Sequence, residues 1–371
     1  MKILHLTGDW KWTGPAEPML NAVLGLRARG HRVDAAFPLP PEENAGSLVE
    51  RARQQGVEPV YRLTRRQGYV PLRDGGEVQR LRELFERRRY DVVHAHHARD
   101  HILARLALRG LPGRLVVSWH HGDLIPKHFW NRWLLGPRGA HGLVVLGERI
   151  AVAARGQLGW PDARVAVVPG SVDAERFAPR PPSAAVRREF GLTGGERIIG
   201  LVARLQPHRR VDLVLDAFQR ALRAAPELRL VVVGRGTRAR EVLEQPVAQR
   251  GLGASVIRAG YRAKDYRDVL SLFDALVFLV PGSDGSCRAV LEAMALEIPV
   301  IASPRGVLPE TVGDDETGRI VPEDARSLAD VFVDLSRDPS RWRELGKAAR
   351  ARILERHSLP LAAERLERFY T

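Results

Sequence analysis

The sequence predicts an α/β fold made of two Rossmann-like, doubly wound parallel sheets. Short apolar strands alternate with helical stretches along the chain, a pattern typical of parallel sheets covered by helices on both faces. The 371 residues are enough for two domains that each bury a core. A proline-rich break at Pro169-Gly170-Ser171 and Pro179–Pro182 separates two halves that repeat the same alternation.

In the first half, apolar and β-branched runs predict seven strands: Ile3–Thr7, Arg32–Phe37, Glu58–Leu63, Asp91–Ala95, Leu115–Trp119, Gly142–Leu146 and Val165–Val168. Helices fit between them. Glu17–Arg29 is predicted as a helix because Leu20, Val23 and Leu24 share one face and Gly30 follows. We place the hinge near residues 170–185, which predicts domains at 1–175 and 176–356 and a terminal segment at 357–371.

The second half repeats this scheme. Predicted strands are Ile198–Ala203, Arg229–Val233, Ser255–Arg258, Ala275–Val280, Pro299–Ala302 and Arg319–Val321. Predicted helices are Val211–Ala224, Arg238–Arg250, Lys264–Leu272, Arg288–Leu296, Ser327–Asp334, Ser340–Arg356 and Leu359–Tyr370. The longest apolar runs have the length of a strand and fall far short of the ~18 residues that span a membrane.

The net charge is +14, of which residues 1–180 carry +10. Arginine clusters in that half could meet an anionic membrane or an acidic glycan. Nucleic acid is a competing partner, but aromatic residues are sparse and no reader module appears, so we expect none. An arginine-rich solvated surface is an equal alternative, since only five of the 58 cationic residues are Lys. Cys287 is the single cysteine, which excludes an intrachain disulfide and favours a reducing, cytoplasmic compartment.

Two carboxylates flank the end of a strand in the second half. Asp284 follows the strand Ala275–Val280, and Glu292 lies in the first turns of the next helix. Ligands bind at the carboxyl ends of strands in open parallel sheets. Carboxylates there can accept hydrogen bonds from ribose or sugar hydroxyls. The alternative is an N-capping Asp and a surface Glu.

Two arginines follow another strand of the same half. Arg204 and Arg209 come after Ile198–Ala203 and should project toward the same crevice as the two carboxylates. Guanidinium groups suit a diphosphate, whose negative charge grows as a glycosyl bond breaks. Gly234, which ends the next strand, either lets the backbone approach a ligand or simply turns a corner.

These residues resemble the large family of retaining, nucleotide-sugar-dependent glycosyltransferases with the GT-B fold, and the resemblance covers nearly the whole chain. The family signature is an acidic residue, seven residues, a Glu, Ala-Met-Ala and a later Pro-Val. The matching stretches here are Asp284, Glu292, Ala293-Met294-Ala295, Pro299-Val300, Ala203-Arg204-Leu205, Arg209-Arg210, Ala217-Phe218, Pro169-Gly170-Ser171-Val172-Asp173 and Glu316-Thr317-Gly318.

The resemblance implies roles in donor binding. Arg204 and Arg209 would hold the donor diphosphate, Glu292 the ribose hydroxyls, and Asp284 hydroxyls of the transferred sugar. We expect further donor contacts from Gly14, Gly234, Tyr261, Ser286, Cys287 and Arg288. Cys287 stands where the family often has Gly, Arg209 where it usually has Lys, and Asp284 where it usually has Glu.

The first domain offers an acceptor side. His120 matches a family Thr-x-His at a strand end, where it would hydrogen-bond a sugar hydroxyl or the acceptor; a structural histidine is the alternative. Gly14-Pro15-Ala16-Glu17 resembles a family loop whose amides face a phosphate, although Pro15 lacks one N–H. Further acceptor-side candidates are Trp10, Trp12, His96 and His97.

Four histidines raise a zinc hypothesis. His97 and His101 are four residues apart on a predicted helix, and His94 and His96 alternate at a strand end. No carboxylate or cysteine completes an evident ligand set, so lining of the cleft is the preferred interpretation. The sequence also lacks an Asp-x-Asp at a strand end, and we therefore expect no metal. Cys287 has no base and orienting partner that would make it a nucleophile.

Together with these features, the resemblance implies a retaining, metal-independent glycosyltransferase of cell-envelope polysaccharide synthesis. It would move a sugar from a nucleotide sugar, with UDP-sugars favoured over GDP- or ADP-sugars, to a glycan or lipid-linked acceptor. The resemblance implies two domains facing across a cleft and a final helix that returns to the first domain. We expect the protein to be cytoplasmic and to contact the inner face of the cell membrane peripherally. Alternatives are a GT-B epimerase or hydrolase, a non-catalytic sugar-nucleotide-binding subunit, or a nucleic-acid-binding protein.

Overall fold

The computed structural model describes residues 1–371 except 13, 42–46, 66–67, 127–128 and 282–284, and except the side chain of residue 130. The chain forms two compact units. The first unit comprises Met1–Ser171, Ser283–Ser286 and Leu359–Thr371, and the second unit comprises Val172–Gly282 and Cys287–Ser358.

The first unit contains a seven-stranded parallel sheet with the strand order β3-β2-β1-β4-β5-β6-β7. Its strands are β1 Lys2–Leu6, β2 Arg32–Ala36, β3 Pro59–Tyr61, β4 Val92–Ala95, β5 Arg114–Trp119, β6 Gly142–Val145 and β7 Val165–Val167. Its helices are α1 Ala16–Ala28, α2 Leu48–Gln54, α3 Pro71–Arg88, α4 Ala98–Ala107, α5 Phe129–Leu135, α6 Glu148–Leu158 and, from the end of the chain, α15 Leu359–Tyr370. Successive strands are added toward one edge from β1 to β3 and toward the other edge from β4 to β7, which makes the carboxyl ends of β1 and β4 the switch point of this sheet.

The terminal helix α15 belongs to the core of the first unit. Leu366 and Tyr370 are buried in the cluster that also holds Ile3 and Met19. Helices α1 and α15 approach so closely that a Cβ added at Gly25 would lie 2.7 Å from the Ala363 Cβ. The last helix therefore covers one face of the sheet instead of extending into solvent.

The second unit contains a six-stranded parallel sheet with the order β10-β9-β8-β11-β12-β13. Its strands are β8 Arg197–Val202, β9 Leu228–Val233, β10 Val256–Gly260, β11 Ala275–Phe278, β12 Val300–Ala302 and β13 Gly318–Ile320. Its helices are α7 Ala184–Glu189, α8 Val211–Ala221, α9 Gln245–Gln249, α10 Tyr266–Leu270, α11 Arg288–Ala295, α12 Leu308–Val312, α13 Ala325–Arg337 and α14 Pro339–Arg356. Its switch point lies between β8 and β11.

All thirteen predicted strands have counterparts among the described residues, which confirms the predicted pair of Rossmann-like sheets. The single helix predicted over Arg238–Arg250 is wrong in detail. A π-helical turn at Arg240–Glu244 precedes α9, whose second residue is Pro246. Proline has no N–H for an i−4 hydrogen bond, and this disturbs the regular helix at that position. Within the described residues, no helix is both long and apolar enough to cross a bilayer.

Candidate active site

Two arginines of the second unit follow β8 at the switch point of its sheet. Arg204 is exposed, and no hydrogen bond or ion pair engages its guanidinium among the described residues. Arg209 ends a 3-10 turn, and its Nη1 donates to the Val280 carbonyl at 2.9 Å, two residues beyond β11. One predicted cation is thus anchored at the end of β11, and the other is open to a ligand.

Glu292 is a buried carboxylate on α11, with 8% of its surface exposed. The Tyr266 hydroxyl donates to its Oε2 at 3.0 Å, and Arg288 Nε lies 3.9 Å from its Oε1. A buried carboxylate is costly unless polar groups compensate it, and these two residues provide that compensation. Sequence reasoning missed Tyr266, because nothing in the local pattern of α10 indicates a partner 26 residues away.

The helix α11 starts from an unusual residue. Cys287 caps it with φ 54° and ψ 47°, and the side chain is buried. This left-handed conformation favours glycine, which is the residue that the resemblance leads one to expect here. Asp284, the other predicted acid, lies outside the described residues, so its predicted role is not assessed by the structure.

Gly234 and Tyr261 follow the neighbouring strands β9 and β10. The Gly234 amide donates to the Gly260 carbonyl at 2.8 Å, and a Cβ at Gly234 would lie 1.9 Å from the Ala203 carbonyl oxygen. Only glycine therefore permits this close approach. Tyr261 is 60% exposed, and the Arg235 guanidinium covers its ring at 4.3 Å, which makes a cationic aromatic surface at this edge.

In the first unit, three imidazoles form a hydrogen-bonded row. His5 Nδ1 and His96 Nε2 are 2.9 Å apart, and His96 Nδ1 and His120 Nε2 are 2.8 Å apart. His5 lies on β1, His96 follows β4, and His120 follows β5. The three imidazoles thus lie near the carboxyl ends of three strands. Sequence reasoning missed His5. Only the parallel pairing of β1 with β4 brings His5 into register with His94.

His94 runs beside this row. Its ring stacks on His96 with centroids 4.4 Å apart, and its nitrogens bond to the Tyr370 hydroxyl at 2.5 Å and the Ser118 hydroxyl at 2.7 Å. Tyr370 belongs to α15, so the terminal helix contributes directly to this polar core. A cavity of about 50 Å³ is lined by His94, His96 and His120 and by residues of α15.

The remaining two histidines of the zinc hypothesis lie elsewhere. His97 Nε2 is 3.0 Å from Asp9 Oδ2, and His101 Nε2 is 3.1 Å from the Gly139 carbonyl. Burial lowers the pKa of His97, but the Asp9 hydrogen bond and the nearby carboxylate charges outweigh it and raise the pKa overall. Among the described residues, the group with metal-ligand spacing is His5, His94 and His96, which shares His94 and His96 with the four histidines of the zinc hypothesis.

The glycine loop before α1 and its tryptophans lie close to the same sheet. Gly14 is buried with φ 56°, and Pro15 caps α1 without a side-chain hydrogen bond. Trp12 packs against the core and carries the Arg51 guanidinium at 4.8 Å, while Lys11 lies over Trp10 at 5.1 Å. Both rings are half-buried, and Trp12 in particular has a packing role that the sequence did not suggest.

The segment before Cys287 contacts the His120 strand end. The Gly285 amide donates to the His120 carbonyl at 3.0 Å. A Cβ at Gly285 would lie 2.2 Å from the Gly122 amide nitrogen and 2.4 Å from the His120 carbonyl oxygen. Ser286 is buried beside it. Glycine is therefore required here for backbone to pack on backbone.

Comparison with known proteins agrees with these features. The profile of Glycosyltransferase Family 4 matches residues 16–176, and that of Glycosyl transferases group 1 matches residues 183–352. The chain belongs to the family 4 type of GT-B glycosyltransferases. The chain is 27% identical over 358 residues to a GDP-mannose-dependent alpha-(1-6)-phosphatidylinositol monomannoside mannosyltransferase of Mycolicibacterium smegmatis, covering 91% of this chain and 89% of that enzyme.

Other relatives of this glycosyltransferase match in part or in fold. A D-inositol 3-phosphate glycosyltransferase of Kribbella flavida is 34% identical over 200 residues, which is 52% of this chain and 47% of that protein. A glycosyltransferase from Rickettsia africae superposes with a TM-score of 0.85 at 16% identity, covering 100% and 97% of the two chains. The structure of Anabaena Alr3699/HepE with UDP and glucose superposes with a TM-score of 0.79 at 20% identity, covering 99% of this chain and 98% of that chain. At these identities the two structures establish the fold alone.

Proposed function

We propose that this glycosyltransferase moves a sugar from a nucleotide diphosphate sugar to a lipid-linked or glycan acceptor, with retention at the anomeric carbon. The observation that carries the proposal is the set of charges at the switch point of the second sheet. Arg204 and Arg209 follow β8, and Glu292 lies on the helix after β11. Cations beside an acid suit a ligand that has a diphosphate and vicinal hydroxyls.

The second unit would bind the donor. The two arginines neutralise the diphosphate, and Glu292 accepts hydrogen bonds from the ribose hydroxyls. The Tyr266 hydroxyl, which donates to Oε2, limits the orientation of the Glu292 carboxylate. The ring of Tyr261 under Arg235 offers a stacking surface for the base. Asp284 would accept hydrogen bonds from hydroxyls of the transferred sugar.

The reaction would proceed by attack on the face that the phosphate leaves. The C1–O bond to the diphosphate breaks, the bond from C1 to the acceptor oxygen forms on the same face, and the acceptor proton passes to a phosphate oxygen. No step needs a covalent enzyme nucleophile. Arginine stabilisation of the leaving diphosphate is then the main catalytic contribution of the chain, on the order of 3 kcal/mol for each well-placed donor. We propose that these cations suffice without a metal ion.

The donor base and sugar follow from relatives and not from the site. The mycolicibacterial relative that aligns over most of this chain is GDP-mannose-dependent. UDP appears in the Anabaena structures, which are related in fold alone. The preference for UDP-sugars expected from the sequence therefore has no support, and we place GDP-mannose beside the UDP-sugars as a proposed donor.

The acceptor would be anchored at the inner face of the membrane, and the start of α3 is the proposed contact. Leu72 is 100% exposed and Val70 is 42% exposed. The exposed Arg62, Arg65 and Arg73 lie close in sequence, with Arg62 and Arg65 lining an open hollow. Apolar side chains flanked by cations suit an anionic bilayer surface. A named relative that acts on a phosphatidylinositol mannoside is consistent with such an acceptor.

The test of the transfer is a matrix of donors and acceptors. Purified protein is incubated with UDP-glucose, UDP-N-acetylglucosamine, GDP-mannose or ADP-glucose, each with phosphatidylinositol vesicles or with simple sugar acceptors, and with or without EDTA. We expect one donor to give a product with the donor's anomeric configuration, and EDTA to leave the rate unchanged. Inversion at the anomeric carbon, or donor hydrolysis that no acceptor accelerates, would contradict the proposal.

The membrane contact has its own test. Sedimentation with anionic vesicles is compared for the wild type, Leu72→Glu and Leu354→Glu, the latter altering an exposed leucine of the second unit. We expect Leu72→Glu to bind vesicles at least about fivefold more weakly, because it removes an apolar contact and adds a repelled charge. Equal binding by all three proteins would remove α3 from the proposed surface.

A further inference from the structure

The row His5–His96–His120 has an open end and a closed end. At one end, His5 Nε2 is buried and has no hydrogen-bond partner among the described residues. At the other, the described part of the chain gives His120 Nδ1 no partner, and His120 is only half-buried. The two hydrogen bonds between these ends couple the proton positions on all three rings.

All three rings are neutral at physiological pH. Burial lowers the pKa of His5 to about 3, and burial together with the charges of His97 and His121 lowers that of His120 to about 3. Burial and the neighbouring histidines hold the pKa of His96 well below its usual range. Each imidazole therefore carries one proton. Other titratable groups near the row, among the described residues, are His94, stacked on His96; Tyr370, near His5; His97 with Asp9 and Asp100; and His121 with Asp123.

Two arrangements of protons satisfy both hydrogen bonds. In the first, His5 Nδ1–H donates to His96 Nε2, His96 Nδ1–H donates to His120 Nε2, and His120 carries its own proton on Nδ1. In the second, His120 Nε2–H donates to His96 Nδ1, His96 Nε2–H donates to His5 Nδ1, and His5 carries its own proton on Nε2. His120 Nδ1 is then unprotonated. The open end is a hydrogen-bond donor in the first arrangement and an acceptor in the second.

The closed end distinguishes the arrangements. The second arrangement puts a proton on His5 Nε2, a buried N–H without a partner in the described structure. The first leaves only a lone pair there. Orphaned buried N–H groups are rarer in proteins than under-satisfied acceptors, so the first arrangement is favoured. The cost of burying an unpartnered N–H at His5 Nε2, 115 residues before His120, thus favours a protonated Nδ1 on His120.

A zinc ion between these rings fits the geometry less well. Two nitrogens bound to one tetrahedral zinc at ~2.05 Å stand roughly 3.4 Å apart. The 2.9 Å between His5 Nδ1 and His96 Nε2 is instead an ordinary hydrogen-bond length. Both nitrogens of His94 also have other partners, in Tyr370 and Ser118.

We propose that His96, oriented by His5, holds His120 in the tautomer with its proton on Nδ1, so that His120 donates a hydrogen bond to the reacting substrate and does not act as a base. His96 is then a positioning residue, and His120 the group that touches an oxygen of the donor sugar or acceptor. This assignment of a role to His120 rests on the proposed function. The tautomer itself does not, and it can be measured without any substrate.

The first experiment reads the tautomer directly. Protein labelled with 15N-histidine is studied at pH 7.5 by long-range 1H–15N correlation, which distinguishes protonated from bare ring nitrogens, with His120→Gln to assign the His120 signals. We expect a protonated Nδ1 and a bare Nε2 on His120. A bare Nδ1, a doubly protonated ring, or zinc bound to the purified protein in a 1:1 ratio would overturn the proposal, whether or not the chain proves to be a transferase.

The second experiment uses a matched pair at position 96. Asn in His96→Asn can donate to His120 Nε2, whereas the carboxylate in His96→Asp only accepts and so holds the His120 proton on Nε2. That carboxylate also raises the pKa of His120. Below the raised pKa, His120 is doubly protonated and still presents Nδ1–H; above it, Nδ1 is bare. We expect the transfer rates of the wild type and His96→Asn to be independent of pH from pH 6 to pH 8. We expect the transfer rate of His96→Asp to fall at least about tenfold as pH rises over this range.

The opposite slope contradicts the proposal. If His120 acts as a base, His96→Asp should gain activity as pH rises, because the bare Nδ1 is then the active form. His101→Gln is the control, since His101 is a buried histidine of the same unit outside the row. Its pH profile should follow that of the wild type. If no variant and no wild-type protein transfers sugar, the proposed function fails, while the tautomer measurement still decides the inference.

Discussion

The candidate functional groups of the first unit are neutral, whereas those of the second unit are charged. The first unit places neutral imidazoles in a hydrogen-bonded row, with His5 and His96 buried and His120 half-buried. The second unit presents charges, with Arg204 exposed and Glu292 held by the Tyr266 hydroxyl. The difference teaches that the imidazoles of the first unit are paired with one another before any ligand arrives, whereas Arg204 of the second unit has no partner among the described residues and is accessible to an anionic ligand.

The largest expected effect comes from removing the open charge of the second unit. Arg204→Ala should lower kcat/KM by ~10²–10³, because a well-placed donor to a developing negative charge contributes about this much. The melting temperature should change little, since Arg204 is exposed. Arg238→Ala is the matched control, as Arg238 is an exposed arginine of the same unit that pairs with Glu241. Equal losses in both variants would show a nonspecific charge effect.

The first unit also contains buried carboxyl groups, and a pH experiment on one of them, Asp100, sharpens the comparison. Burial raises the pKa of Asp100 to about 6 against the opposing effects of His97 and the Gly8 amide. Protonated Asp100 is favoured in the folded state, so its stabilising contribution is complete below about pH 4 and is lost as pH rises to 6. The loss is up to about 3 kcal/mol of unfolding free energy.

Asp100→Asn is the measurement that isolates this group. Denaturant unfolding of the wild type and the variant is compared from pH 4 to pH 7, and the difference between the two curves removes the contribution of other carboxylates. We expect the wild type to lose stability relative to Asp100→Asn across this interval. A constant difference would show that the buried carboxyl titrates normally.

Gly285→Ala tests whether the first unit depends on a preformed backbone contact. The new Cβ would overlap the backbone of residues 120–122, so His120 must shift. Displacements of about 1 Å at a reacting group cost on the order of 10²-fold in rate. Gly156→Ala, at a site in α6 with open space around the added Cβ, should transfer sugar at the wild-type rate. A fully active Gly285→Ala variant, assayed beside it, would exclude His120 from the reaction.

The smallest effect is expected at the hydroxyl that holds Glu292. Tyr266→Phe removes one donor to the carboxylate, and such a hydrogen bond contributes about 1 kcal/mol, or roughly fivefold in donor affinity. Equilibrium binding of the nucleotide sugar gives the value, and kcat should stay within about twofold. A large fall in kcat with unchanged affinity would mean that Glu292 acts on the reacting sugar and not on the ribose.

The sequence predicts the strands of both sheets well, because parallel strands buried on both faces are continuous apolar runs bounded by turn residues. It also identifies Arg204, Arg209 and Glu292 as residues beside strand ends. It does not predict the partner of Glu292 or the anchoring of Arg209 on Val280, since these contacts depend on how distant segments pack.

The row of histidines shows the same limit more sharply. His94 and His96 stand out in the sequence, and their spacing places them on one side of a strand. His5 appears as an ordinary member of an apolar strand, and only the parallel pairing of β1 with β4 brings it into register with His94. Its buried Nε2, which has no partner among the described residues, depends on packing around the ring and has no local sequence signal.

The most direct test of the division between the units is calorimetry with the active nucleotide sugar, combined with transfer rates for the same proteins. We expect Glu292→Gln and Arg204→Ala to weaken donor binding at least about tenfold. We expect His120→Gln to bind the donor within about threefold of the wild type while transfer falls by at least about 10²-fold. If His120→Gln instead loses donor binding as strongly as Glu292→Gln, or still transfers sugar at the wild-type rate, the account of a charged donor site and a neutral hydrogen-bonding site is contradicted.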